Sequence, residues 1–288
     1  MTLMAGNPLE EIRSGNYASA HSAASPELRV LDWNIDRGHN LPRLAEGIKS
    51  QHPDIAILQE VDLNARRTER KDVAAELAKR LKLNYVFGPE FQELSQGSDN
   101  DPAYQGQAIL TSLPVVRTRI LRFSRQSQFW APRPYLPTWA MFQRRVGGRI
   151  ALVSELRFRD RPLVVYNLHL ESRSAGEIQL AQLDEVLRDA SHYPPDTPIL
   201  VAGDFNTKYR KCTGEVLERM RKAGYQNAAG DNRPRTHVIV GALDWIFARG
   251  PIHLEGAQVH RDIPGSDHFV LSARITSSEH VVARSGKM

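Results

Sequence analysis

A carboxylate and a carboxamide stand two residues apart at the end of an apolar run in Pro198-Ile-Leu-Val-Ala-Gly-Asp-Phe-Asn206. Ile199 to Ala202 reads as a buried strand. Gly203 lets the backbone come close to whatever lies at the strand's end. Period-two geometry then sends Asp204 and Asn206 to one side and turns Phe205 back into the core. Asp and Asn are also ordinary turn residues after strands, so this segment alone reads equally well as a turn. Its company elsewhere in the chain decides.

Five other apolar runs carry a carboxylate, carboxamide or imidazole at or near one end. These are Trp33-Asn34-Ile35-Asp36, Leu58-Gln59-Glu60-Val61, Asn167-Leu168-His169, Leu243-Asp244-Trp245 and Ser266-Asp267-His268. The oxygen donors Asn34, Glu60, Asp204, Asn206 and Asp267 suit a hard cation, Mg²⁺ or Mn²⁺, better than zinc. The single cysteine, Cys212, rules out a thiolate-rich zinc site and reads as a small buried residue. His169 and His268 can move protons or donate to a phosphoryl oxygen near neutral pH. Asp244 can orient His268 and favour its imidazolium. Asp36 is open to two readings, contact with a second metal or a plain hydrogen bond. The remaining histidines, His237 among them, read as surface or structural. No Gly-x-Ser-x-Gly elbow, Walker loop or His-Glu-x-x-His competes for the chemistry.

Positioning these residues takes many strands and few helices. Strands are predicted over 28–35, 54–61, 84–87, 106–111, 149–158, 162–170, 199–202, 242–248, 252–259 and 269–275. Helical spacing appears at Leu41, Leu44 and Ile48, at Val73, Leu77 and Leu81, at Ile178, Gln182 and Val186, and at Val216 and Met220. Many strands are adjacent hairpin partners. The pattern predicts an α/β fold, a four-layer α/β/β/α sandwich of two mostly antiparallel sheets.

The chain has 288 residues, 41% of them hydrophobic, ample for a core. No apolar run approaches the ~20 residues of a membrane-spanning helix, and no secretory signal is visible. One cysteine and no disulfide framework fit a reducing, cytoplasmic setting. Residues 1–26 read as a flexible leader, 27–276 as one domain and 277–288 as a tail; a monomer is expected. A net charge of +5 with pI near 9.4 suits a phosphate-bearing partner. Two long connections, 89–105 and 122–147, read as functional loops. Trp130 and Arg133 in the second, with Arg66 and Arg70 from a basic cluster, are the candidate substrate-gripping residues.

Taken in order, WNID at 33–36, LQEV at 58–61, NLHLES at 167–172, GDFN at 203–206, LDWIF at 243–247 and SDH at 266–268 resemble the endonuclease/exonuclease/phosphatase superfamily. Its members include DNase I, neutral sphingomyelinases, inositol polyphosphate 5-phosphatases and tyrosyl-DNA phosphodiesterases. The resemblance implies a DNase I-like fold with the active site at one rim. It implies Glu60 as the main metal ligand, with Asn34 close by and Asp267 contributing. Asp204 would orient or deprotonate the attacking water, and Asn206 would hold a phosphoryl oxygen. His268, paired with Asp244, would be the general base or a phosphate-stabilising imidazolium. His169 would stabilise the transition state or protonate the leaving group. Val240-Gly-Ala-Leu-Asp244-Trp departs from the 5-phosphatase signature, whereas His169-Leu-Glu-Ser172 is similar to the tyrosyl-DNA phosphodiesterase branch. The expectation is Mg²⁺-dependent hydrolysis of a phosphodiester, with nucleic acid, DNA above all, placed ahead of a phospholipid at a membrane surface or a small phosphoester. A non-catalytic binding protein on the same fold is the alternative from another class.

Overall fold

The computed structural model describes residues 7–19, 27–133, 135–137 and 139–277. The first half holds β1 (Arg13–Gly15), β2 (Glu27–Arg37), α1 (Leu41–Gln51), β3 (Ile55–Leu63), α2 (Val73–Leu81), β4 (Asn84–Glu93), β5 (Tyr104–Thr111) and β6 (Val115–Arg122). The second holds β7 (Arg145–Gly147), β8 (Ile150–Phe158), β9 (Arg161–His169), α3 (Glu177–Ala190), β10 (Ile199–Asp204), α4 (Arg210–Lys222), β11 (Gln226–Asn227), β12 (Asp244–Arg249), β13 (Ile252–His260) and β14 (Val270–Ser277).

Two sheets result. One runs β1-β4-β5-β3-β2-β14-β13 with β7 also on β4; the other runs β11-β12-β10-β9-β8-β6. Only β2–β3 and β9–β10 pair in parallel among the described strands, as expected of a mostly antiparallel pair of sheets. Three apolar layers separate four layers of structure. Leu31, Trp33 and Ile35 of β2 pack with α1 and α2, while Leu28 and Val30 face the other sheet. On the far side, Val164, Tyr166 and Val201 pack with α3 and α4, and Cys212 is buried there. Both α1 and α2 begin on side-chain caps, Asn40 and Asp72, each accepting from a first-turn backbone N–H.

The same alternation builds the site. Inward positions run apolar along each strand and turn polar at one end of the sandwich. Leu28 and Val30 lead to Asp32 and Asn34, Ile55 and Ile57 to Gln59, and Leu163 and Val165 to Asn167 and His169. Leu200 and Ala202 likewise lead to Asp204, and β12, running the opposite way, starts at Asp244 before Ile246. A buried amide belt ties the sheets together there. Gln59 Nε2 donates to Asp32 Oδ1 and to Asn167 Oδ1, both at 2.9 Å. Asn167 Nδ2 donates to the carbonyls of Leu58 and Ala108, also at 2.9 Å.

Some expectations change. Residues 13–15, expected within a flexible leader, form β1 on the edge of the larger sheet, and Tyr17 stacks on Tyr85. Residues 1–6 and 20–26 of that leader, and 278–288 of the tail, lie outside the described residues. Strand β6 escapes sequence reading because Val-Val-Arg-Thr-Arg-Ile-Leu-Arg is an edge strand, half polar and without period-two alternation. The long connections shorten to 94–103 and 123–144, because β4 and β5 extend into the first and β7 ends the second. No helix among the described residues is long and apolar enough to cross a membrane.

Candidate active site

Register places Asp204 between two site residues, opposite His169 on β9 and Asp244 on β12. Gly203 makes this packing possible. Its φ is +140°, and a Cβ there would lie 2.0 Å from the Leu168 carbonyl oxygen. The close approach is thus by the neighbouring strand rather than a ligand. Asn206 reaches the site by a turn, not by continued strand alternation. Its φ is +51°, its backbone N–H donates to Asp204 Oδ1 at 2.8 Å, and its Nδ2 donates to the Leu170 carbonyl at 3.0 Å.

Glu60 sits where the register breaks on both sides of β3, which carries one extra residue against β5, with φ +52°. The extra residue kinks the strand and re-aims the carboxylate toward the rim. Asn34 Nδ2 donates to Glu60 Oε1 at 3.5 Å and to Asp204 Oδ2 at 3.3 Å, linking the two sheets' carboxylates. Burial pushes Glu60 up, but His169, Arg37, Arg149 and Arg145 outweigh it and bring its pKa to about 2. Asp36 pairs with Arg37, whose other nitrogen lies 3.8 Å from Glu60 Oε2. Asp36 therefore reaches the site through Arg37.

Each histidine is held by a carboxylate. His268 Nδ1 lies 2.9 Å from Asp244 Oδ2, and its Nε2 lies 3.8 Å from Asp204 Oδ2. Burial pushes His268 down, but Asp244, Asp204 and Asp267 outweigh it and raise its pKa to about 10. Asp244 is itself pushed up by burial, which its bond to His268 offsets in part. With three carboxylates facing one imidazole, the pair is best described as carboxylate and imidazolium. His169 Nδ1 lies 2.8 Å from Arg149 Nη1 and 3.2 Å from Glu90 Oε2, leaving Nε2 3.7 Å from Asp204 Oδ2.

Several functional-site residues lie outside the sequence reading. Glu90 and Arg149 form a buried pair at 3.0 Å behind His169. His237, read as surface or structural, packs edge-on against His268 at 4.8 Å, with Nε2 3.5 Å from Asp267 Oδ2. Its Nδ1 accepts the N–H groups of Ile239 and Val240, both at 3.0 Å, which fixes the ring. Asp32 is wholly buried, and desolvation, then Asp244, pushes its carboxyl well above the usual range. Its sequence signal was a carboxylate at an inward position of an apolar strand. Asp267, half-exposed, follows Ser266, whose hydroxyl donates to the Asn34 carbonyl at 2.6 Å.

A pocket of about 520 Å³ opens beside Glu60, lined by Phe129, Trp130, Arg133, Arg144 and Arg173 among others. Trp130 and Arg133 thus line the pocket. Arg66 and Arg70 do not line it. Arg66 donates to the Ser95 carbonyl at 2.7 Å and Arg70 pairs with Asp101 at 2.7 Å, so both pin the 94–103 loop. Arg145 and Arg173 lie over the Trp130 ring instead, at 5.1 and 5.7 Å. Cavities of similar size near Arg29 and beside α4 contain none of the convergent groups.

The profile of the endonuclease/exonuclease/phosphatase family matches residues 33–268, from the tryptophan before Asn34 to His268 itself. The chain belongs to this family. Endonuclease/exonuclease/phosphatase proteins are as a rule phosphoesterases that depend on a divalent metal. A UPF0294 protein of Vibrio vulnificus (strain YJ016) is 31% identical over 128 residues, 43% of this chain and 44% of that relative. The match therefore spans less than half the length of the curated relative. Among solved structures, a family member from Beutenbergia cavernae has a TM-score of 0.66 at 19% identity, covering 87% of this chain and 72% of that one. A functionally unknown conserved protein from Enterococcus faecalis gives 0.62 at 18%, covering 87% and 100%. Truncated TDP2 from Caenorhabditis elegans gives 0.55 at 19%, covering 87% and 98%. At such identities the likeness shows the fold.

The donor set fits the divalent metal typical of this family. Glu60 is ionised at neutral pH and about a quarter exposed to the pocket, with Asn34 against it. Asp204, Asp244 and His268 bring ligand atoms within 4.8 Å of one another, as do His237, Asp267 and His268, but a cationic His268 offers no lone pair, which leaves the carboxylates and His237 as donors there. All but the histidines are oxygen donors, the preference of Mg²⁺ and Mn²⁺.

Proposed function

We propose that this protein is a Mg²⁺-dependent phosphodiesterase that cleaves its substrate by in-line attack of water. The observation that carries the reading is the convergence on Asp204 of Asn34, His169 and His268, with ionised Glu60 joined through Asn34. A phosphodiester anion repels nucleophiles, so the site must neutralise charge and align water. Glu60 and Asn34, with Asp267 nearby, would hold the metal, which supplies positive charge to the phosphoryl group. Asp204 accepts a proton from the attacking water and orients it. His268, kept cationic by Asp244, donates through Nε2 to a non-bridging oxygen, and the Asn206 amide holds another. His169, whose Nε2 lies 3.7 Å from Asp204 Oδ2, would protonate the leaving oxygen.

Among substrates, the net charge and the arginine and aromatic lining of the pocket suit a nucleic-acid strand and an anionic lipid headgroup alike. The aliphatic side chains exposed at Leu136, Met141, Val238 and Ile239 favour the phospholipid diester of the two. Purified protein tested on bis(p-nitrophenyl) phosphate, single-stranded and plasmid DNA, and phospholipid vesicles, with Mg²⁺ or EDTA, is the experiment. Hydrolysis of a diester that EDTA abolishes and Mg²⁺ restores is expected; no metal-dependent hydrolysis of any of them would leave a binding protein.

A further inference from the structure

Exposed apolar side chains are concentrated around the catalytic pocket. Of the eleven large hydrophobic residues that the described chain leaves exposed, nine lie on the 129–142 loop, at Tyr209 or at Val238 and Ile239. All three places border the site. Phe129 and Phe142 line the pocket with Glu60. Tyr209 follows Asn206 in the turn where Lys208 donates to the Ser172 carbonyl at 3.2 Å. Val238 donates its N–H to the Asp267 carbonyl at 2.9 Å. Exposure is high at the tips, 94% for Tyr135, 82% for Ile239 and 76% for Met141. Soluble monomers rarely gather apolar surface this way unless it meets a partner.

Two features identify the partner. Leu136, Met141, Val238 and Ile239 are aliphatic and offer no flat face to a nucleic-acid base, whereas a headgroup and acyl-chain boundary accepts them alongside Tyr135 and Trp139. The same rim is cationic. Arg133, Arg144 and Arg173 line the pocket and make no ion pair among the described residues. Together they match an anionic lipid surface in polarity and in sign.

We propose that the catalytic face docks on an anionic phospholipid bilayer, with the 129–142 loop and the Val238–Ile239 turn entering the headgroup region. The pocket then opens onto lipid diesters held at that surface. That last step rests on the phosphodiesterase reading; the docking itself does not.

Flotation of the full-length protein with phosphatidylcholine vesicles, with and without phosphatidylglycerol, tests this, and turnover of bis(p-nitrophenyl) phosphate runs in parallel. Partition about tenfold stronger onto the anionic vesicles, weakened by salt, is expected. Trp139→Ser with Ile239→Ser should abolish that partition and leave soluble turnover and the thermal melt unchanged. Absent vesicle binding, binding equal in the double variant, or binding only of a single-stranded oligonucleotide overturns the docking. Vesicle binding without turnover of the soluble diester would instead overturn the phosphodiesterase reading.

Discussion

His268 bridges two carboxylates, its Nδ1 2.9 Å from Asp244 Oδ2 and its Nε2 3.8 Å from Asp204 Oδ2. One ring nitrogen is therefore committed to Asp244, and the other faces Asp204. The charge on the ring decides which of its two implied roles it plays, and the surrounding carboxylates favour the imidazolium.

A pH profile separates those roles. With His268 at about 10, kcat is expected to stay level through neutral pH and fall as the pH climbs through about 10. Asp244→Asn should move that fall to lower pH and reduce kcat by about 10²- to 10⁴-fold. A rate that rises with pH in this window would assign His268 to the base role instead. Stability follows the same sign. A folded-state value above the ordinary 6.5 contributes fully below pH 6.5 and is lost as pH rises toward 10. The difference in melting temperature between wild type and His268→Gln should shrink over that range.

Asp204→Asn keeps the shape of the side chain and the turn at Asn206 while removing the proton acceptor. Turnover should fall by about three orders of magnitude, with the melting temperature within a few degrees of wild type. Retained hydrolysis would sink the role given to Asp204.

Glu60→Gln removes the ionised group beside Asn34. The Mg²⁺ concentration for half-maximal activity should rise about tenfold or more, and calorimetric titration with Mg²⁺ alone should show the same loss. Unchanged metal affinity would move the metal elsewhere, Asp267 and His237 being the first place to look.

Gly203→Ala tests why a glycine precedes Asp204. The added Cβ meets backbone at 2.0 Å, and φ is +140°. Neither strand can yield without breaking the β9–β10 ladder, so a loss of about 3 kcal/mol or more is expected in urea unfolding. A near-neutral effect would show that the two strands are less tightly apposed.

Arg149→Met strands the buried Glu90 carboxylate and should cost about 3–5 kcal/mol, since the remaining charge has lost its cation. Adding Glu90→Gln should recover much of it. Additive losses in the double variant would mean that the pair does not act as a unit.

Sequence alone determined which strands end in the candidate site residues and toward which side they send them. Strand periodicity is local, so the inward parity of Asn34, His169, Asp204 and Asp244 follows from the apolar residues at even spacings along the same strands. Helices α1 to α4 were legible for the same reason, each showing an apolar stripe at helical spacing. Only the tertiary structure decided what those residues face. The bond between His169 and Glu90 spans 79 positions, and Glu90 lies in what read as a loop because Pro89 masked the extension of β4. His237 had no periodic signal, since its place beside His268 comes from an isolated bridge between two loops. Arg66 and Arg70, prominent as a charge cluster, turned out to hold a loop, whereas Arg149 and Arg173 reach the site. Charge runs along the chain record composition. Which arginine faces a phosphate depends on how two sheets, built from distant segments, bring their polar ends together.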